Sequence, residues 1–215
     1  MLEHIPAWLG ASLGNVRAGA SKLAIVQPEL GGRFGAIDLS SPAFAQDARL
    51  PSRFTADGDG VSPPLVWGAL PPETAMLALL VEDADAPAIQ PLVHAIVWGV
   101  PADAGRLAEG AIVADGPGEA AHGDVGRNSS FSEGWLPPDP PTGHGEHRYV
   151  FQLFALDAGV EDPGQSPGRS ALVRAMAGHV LAAGLLIGTY SRGEEAGVAP
   201  SRSAAQPTPL AAAST

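Results

Sequence analysis

The chain contains no cysteine. That excludes a disulfide scaffold, a thiol nucleophile and a Cys-ligated zinc site. Positive charge is scarce as well: 12 Lys and Arg stand against 23 Asp and Glu, a net charge of −11. A surface this acidic repels polyanions, which argues against general binding of nucleic acid or of anionic bilayers. A small local anion site remains compatible, because at physiological salt charges beyond about 8 Å are largely screened. No apolar run approaches the roughly 20 residues of a membrane span. The first residues also lack the basic region and unbroken apolar stretch of a secretory signal. The expectation is a soluble cytoplasmic protein without stable membrane insertion.

Glycine and proline are plentiful, at 27 and 21 of 215 residues, and hydrophobic residues make up 45%. A real core is therefore available, cut into short apolar runs by turn formers. That composition favours a β-rich fold with few long helices. The length suits one domain with material left over at both ends.

The organising stretch is 77–87. Leu77, Leu79, Val81 and Asp83 share one face of a strand, apolar until its last member. Pro87 stops the ladder and fixes the turn. Asp83 thus stands at the rim of the core, where a carboxylate needs a partner. Asp and Pro are also ordinary turn residues, so a plain capped strand end is the competing reading.

Several further elements follow from pattern. Leu2, Ile5, Trp8, Leu9, Leu13 and Val16 keep helical spacing, with no basic polar face to suit a membrane surface. Residues 23–26 and 36–39 read as short strands around a Gly31-Gly32 turn. Asp57, Asp59 and Gly60 imitate a calcium loop, but the glycine and the closing acid fall at the wrong positions, so a tight acidic turn is expected. Residues 92–101 and 147–157 are apolar on both faces, as interior strands are. The long irregular segment 102–146 is expected to fold against the body through Phe131 and Trp135. A helix is predicted over 169–184, with His179 on its apolar face, and a last strand over 185–190. The domain reading is an N-terminal helical extension (1–22), a main domain (23–192) and a disordered tail (193–215).

Asp83, Asp85 and Pro87, then His94 heading a strand, then Pro140, Pro141 and Gly143 before His147, Arg148 and Tyr149 resemble the phosphatidylethanolamine-binding protein family. The likeness is nearer to its bacterial Raf-kinase-inhibitor-like branch. Asp57, Ser62, Pro63, Pro64 and Trp67, and later His179, Gly188 and Tyr190, support it. The resemblance implies a mainly β fold: a large antiparallel sheet packed on a smaller sheet, with a helix near the C-terminus. It also implies a small pocket for phosphate-like or carboxylate anions, walled here by Asp83, Pro87, His94, Pro141, His147 and Tyr149. The chemistry is coherent, since two imidazoles can donate to an anion and a carboxylate can fix the tautomer of one. This chain departs from the family pattern at Ala84, Ala95 and Asp139; an inward Asp139 would oppose an anion.

The resemblance points to a binding or regulatory module for a small anion, whether a phospholipid headgroup or a phosphorylated partner, with no cofactor and with a homodimer as one arrangement. Two alternatives stand beside it. Asp83, His94 and His147 could ligate a metal or serve acid–base hydrolysis, although no Gly-x-Ser-x-Gly or His-Glu-x-x-His motif is present. The family name also allows an inhibitor of a kinase or protease. Arg148 and Asp85 are expected to form a buried structural pair, His179 to be core, and His144 to be exposed in its Gly-rich loop. His4 and His122 have no constellation around them.

Overall fold

Strand β5 (Met76–Asp83) is where the architecture starts. In the computed structural model, which describes residues 16–114 and 123–193, its two faces enter two different cores. Leu77, Leu79 and Val81 join one apolar cluster, and Ala78 and Leu80 another. A strand buried on both sides cannot alternate apolar and polar residues, which is why 77–81 reads as a continuous run.

The other elements are β1 (Gly35–Ala36), β2 (Leu39–Ser40), β3 (Ala48–Arg49), β4 (Leu65–Trp67), β6 (Leu92–Pro101), β7 (Arg106–Leu107), β8 (Asp124–Val125), β9 (His147–Leu156), α1 (Arg169–Met176) and β10 (Val180–Tyr190). Among the described residues the large sheet runs β1-β10-β9-β5-β6-β8 and the small one β2-β4-β7. The four long strands pair antiparallel. Short β1 and β3 both add to β10 in parallel, so this sheet is mixed at its margin.

The small sheet contributes Leu39, Leu65, Trp67 and Leu107 to the core it shares with Leu79, Phe151 and Leu153. The outer face is covered by Leu172, Val173 and Met176 of α1 and by Ala24 and Leu30 of the N-terminal turns. Each large side chain removed from water here contributes about 1.5–3 kcal/mol. Glu82 is buried on the helix side of β5 and accepts from Ala24 N (2.7 Å), Gln152 Nε2 (2.7 Å) and Arg169 Nε (2.6 Å). It ties the N-terminal segment, the sheet and α1 together.

Four expectations need correction. Residues 23–26 form 3₁₀ turns, not a strand, because Ala24 N is satisfied by Glu82 rather than by a ladder. The helix stops at Met176, not 184: Gly178 turns the chain at φ 79° and β10 already begins at Val180. His179 is therefore not core; it is half-exposed and its Nδ1 lies 2.9 Å from Asp157. Phe131 is not embedded but 86% exposed, whereas Trp135 does pack on the core and donates to Phe54 O. Most of the predicted N-terminal helix (1–15), nearly all of the predicted tail (194–215) and His122 lie outside the described residues.

Candidate functional site

Antiparallel pairing brings distant strand ends to one edge of the sheet. Asp83 at the end of β5 stands beside Leu92 at the start of β6 and Tyr149 near the start of β9. His147 pairs with Tyr190 at the end of β10. Residues remote in sequence thereby surround one cavity of about 210 Å³. Asp83, Pro87, His94, Pro141, His147 and Tyr149 all line it, together with Pro137, Asp139 and Pro140. A larger open depression of about 610 Å³, on Gln90, Phe131 and Arg169, contains none of the six.

The turn after β5 is built by its own carboxylates. Asp83 Oδ1 accepts from Asp85 N at 2.8 Å, and Ala84 N donates to Arg148 O. Asp85 accepts from Arg148 at Nε (2.7 Å), Nη2 (2.9 Å) and backbone N (3.0 Å), and pairs with Arg17 at 3.0 Å. Burial alone would raise the Asp85 carboxyl, but these guanidinium contacts hold it below its ordinary value. The Asp85–Arg148 pair exists as expected, but only Asp85 is buried; the Arg148 side chain is half-exposed.

The second oxygen of Asp83 accepts from Nδ1 of His147 at 2.7 Å. Nε2 of His147 lies 2.7 Å from Nδ1 of His144, and Nε2 of His144 lies 3.2 Å from the carbonyl of Val16. His144 is therefore not exposed: only 2% of it is accessible. Gly143 and Gly145, at φ 80° and 98°, curl the loop so that a histidine three residues before His147 folds back on it. The pattern His-Gly-Glu-His carries that signal, since turn-forming glycines on both sides of a histidine can invert it. The N-terminal segment was also invisible as part of this region. Ala18 N and Gly19 N donate to the carbonyls of Ala86 and Ala84, and Arg17 Nη1 donates to Glu146 O.

His94 behaves differently. Its Nδ1 donates to Leu136 O at 2.6 Å, which leaves Nε2 with the lone pair, and that nitrogen is buried without a partner among the described residues. Burial lowers its pKa below 6.5, against the opposing pull of Asp83. Tyr149 stands edge-on to it, with ring centroids 5.0 Å apart. Burial raises the phenol well above 10, so Tyr149 remains a neutral O–H.

Asp139 does line the cavity, but its carboxylate is paired with Arg192. The same guanidinium holds Asp57 through Nε (2.8 Å) and Nη2 (2.6 Å), and Tyr190 Oη donates to Asp57 at 2.7 Å. The Arg192 hydrogen bonds hold the Asp57 carboxyl below its ordinary value. Asp57 thus partners Arg192. Among the described residues no group of three His, Asp or Glu side chains is arranged to hold a metal ion. No helix there is long and apolar enough to cross a membrane.

A family model described as phosphatidylethanolamine-binding protein matches residues 40–191. A UPF0098 protein of Methanothermobacter thermautotrophicus is 41% identical over 159 residues, covering 73% of this chain and 100% of the relative. One from Chlamydia muridarum is 35% identical over 160 residues, covering 73% and 99%. A putative phosphatidylethanolamine-binding protein homolog from Chlamydia trachomatis superposes with a TM-score of 0.65 at 33% identity, covering 74% of this chain and 99% of that one. Escherichia coli YbcL has the same fold, with a TM-score of 0.66 at 23% identity and coverage of 73% and 99%.

Proposed function

The chain belongs to the phosphatidylethanolamine-binding protein family, and from that premise we propose that its cavity binds a small phosphate-class oxyanion, free or as the headgroup of a larger molecule. The observation that carries the reading is the convergence of Asp83, Pro87, His94, Pro141, His147 and Tyr149, from separated stretches of chain, on one cavity wall. At about 210 Å³ the cavity is smaller than the roughly 300–1,000 Å³ of sites for drug-sized ligands, so it suits a small group. The prolines give it a rigid rim without competing N–H donors.

The state of His94 narrows the ligand. A neutral imidazole with its Nδ1–H committed to Leu136 offers an acceptor, not a donor. A phosphate or phosphate monoester that still carries one proton can donate to that lone pair while its other oxygens accept. The second pKa of a phosphate monoester is about 6, so this form is available near neutral pH. Tyr149 supplies an O–H donor, and pairing of Asp139 with Arg192 removes an opposing charge from the wall.

Calorimetry with phosphate, phosphorylethanolamine and sulfate tests the reading. Both phosphates bind with saturation, and sulfate, which brings no proton, binds at least about tenfold more weakly, the equivalent of one hydrogen bond of roughly 1.4 kcal/mol. Absence of saturable binding by either phosphate overturns the proposal.

A further inference from the structure

Two loops that build the cavity wall are joined by one side chain from outside the matched family domain. The match begins at residue 40, and Arg17 precedes it. Arg17 Nη1 lies 3.0 Å from Asp85 Oδ1 and donates to Glu146 O at 2.9 Å, and Nη2 donates to His144 O at 3.4 Å. Asp85 belongs to the turn after β5, whose flanking residues Asp83 and Pro87 line the cavity. His144 and Glu146 belong to the loop that delivers His147 to the same wall. A planar guanidinium, with five donors in a fixed fork, can hold a carboxylate and two carbonyls at once.

The backbone that carries Arg17 is itself anchored to that turn. Ala18 N donates to Ala86 O at 2.9 Å, and Gly19 N donates to Ala84 O at 2.8 Å. Ala18 is buried, and Gly19, at φ 94°, turns the chain into the 3₁₀ segments whose Ala24 and Leu30 share a core with α1. The fork is therefore aimed from a fixed origin.

We infer that Arg17 is a positioning residue for the cavity: by bridging the turn 84–86 to the loop 144–146 it fixes how Asp83 and His147 face each other and the ligand. The effect on binding rests on the oxyanion reading above. Arg17 stands outside the cavity lining, so it acts through the two loops it joins. The 2.7 Å bond between Asp83 and His147 sets one distance, and a single bond does not set the relative orientation of two loops. Arg148 ties Asp85 to β9 itself. Arg17 ties the same carboxylate to the loop ahead of β9, and a binding wall keeps its geometry only when such supporting contacts are in place.

Imidazole NMR of the ligand-free protein, followed by phosphate calorimetry, tests this on the parent and on Arg17→Leu. The variant should fold, because a third of the Arg17 side chain is exposed and Asp85 keeps Arg148. Its His147 ring signals should move, while those of His94, anchored to Leu136 O, stay in place. Phosphate affinity should fall about tenfold where both proteins are folded. Arg33→Leu is the control: it removes the same charge from an exposed side chain that has no ion pair or hydrogen bond among the described residues, and it should bind as the parent does. A purely structural Arg17 would lower the urea midpoint and leave both the His147 signals and the affinity unmoved. Parent-like His147 signals or parent-like affinity in Arg17→Leu, or an equal loss in Arg33→Leu, overturns the inference. The two readings fail separately. Moved His147 signals in a protein whose parent binds no phosphate remove the oxyanion reading alone. Equal phosphate binding by the parent and Arg17→Leu removes the positioning role alone.

Discussion

The carboxylate of Asp83 accepts a 2.7 Å hydrogen bond from Nδ1 of His147, with 1% of the histidine side chain and 4% of the aspartate side chain exposed. A charge-assisted bond this well shielded fixes both the ring's orientation and the nitrogen that faces away from Asp83. Asp83→Asn keeps an acceptor but removes the charge. It should cost about 1 kcal/mol of stability in urea unfolding and lower phosphate affinity about tenfold by calorimetry. Unchanged phosphate affinity in a folded Asp83→Asn protein would separate this carboxylate from binding.

Arg192 is the hinge pin of the opposite wall. Arg192→Leu leaves Asp57 and Asp139 without their shared guanidinium. Asp57 is one-third exposed, so solvent screens part of the loss and a cost of about 1–2 kcal/mol is expected. The folded-state pKa of Asp57 lies below 3.8. The stabilisation it contributes is therefore full above that value and is lost as pH falls through the lower one. Acid unfolding curves of Arg192→Leu should show a smaller dependence on pH in this range than those of the parent.

Glu82 serves stability rather than the cavity. It is fully buried on the helix side of the sheet and collects donors from Ala24, Gln152 and Arg169. Glu82→Ala strands Arg169 and two neutral donors. Thermal and urea unfolding should show a loss of about 3 kcal/mol, while phosphate affinity below the transition stays within about twofold. A binding loss without a stability loss would contradict this division.

His94 gives the protein a pH response near neutrality. Its folded-state pKa lies below 6.5, chiefly through burial. Between the two values the unfolded chain binds more protons, so this residue makes stability rise with pH and fall as pH drops below about 6.5. In His94→Phe that component should vanish from urea unfolding measured between pH 5 and 7.

The sequence exposed the interior strands clearly. Met76–Asp83, Leu92–Pro101 and His147–Leu156 are apolar on both faces, a pattern that needs no tertiary knowledge. Pairing order could not be read that way, since identical apolar runs pair equally well in several orders. It came from resemblance, as did the grouping of Asp83, His94 and His147. Three features that the sequence does not announce share one cause. Ala24 abandons a strand for a side-chain acceptor on Glu82 58 positions away. His144 leaves solvent for His147 because two glycines reverse the loop. Arg192 gathers Asp57 and Asp139 across 135 and 53 positions. Long-range polar contacts of this kind have no local periodicity to announce them.

The most direct test of the oxyanion reading is an NMR titration of the imidazole signals of His94 and His147 with phosphorylethanolamine in metal-free buffer. The account predicts that both rings shift saturably with a common dissociation constant, and that His179, across the molecule on Asp157, does not move. Shifts confined to neither or only one of the cavity histidines, or a uniform drift that includes His179, would contradict it.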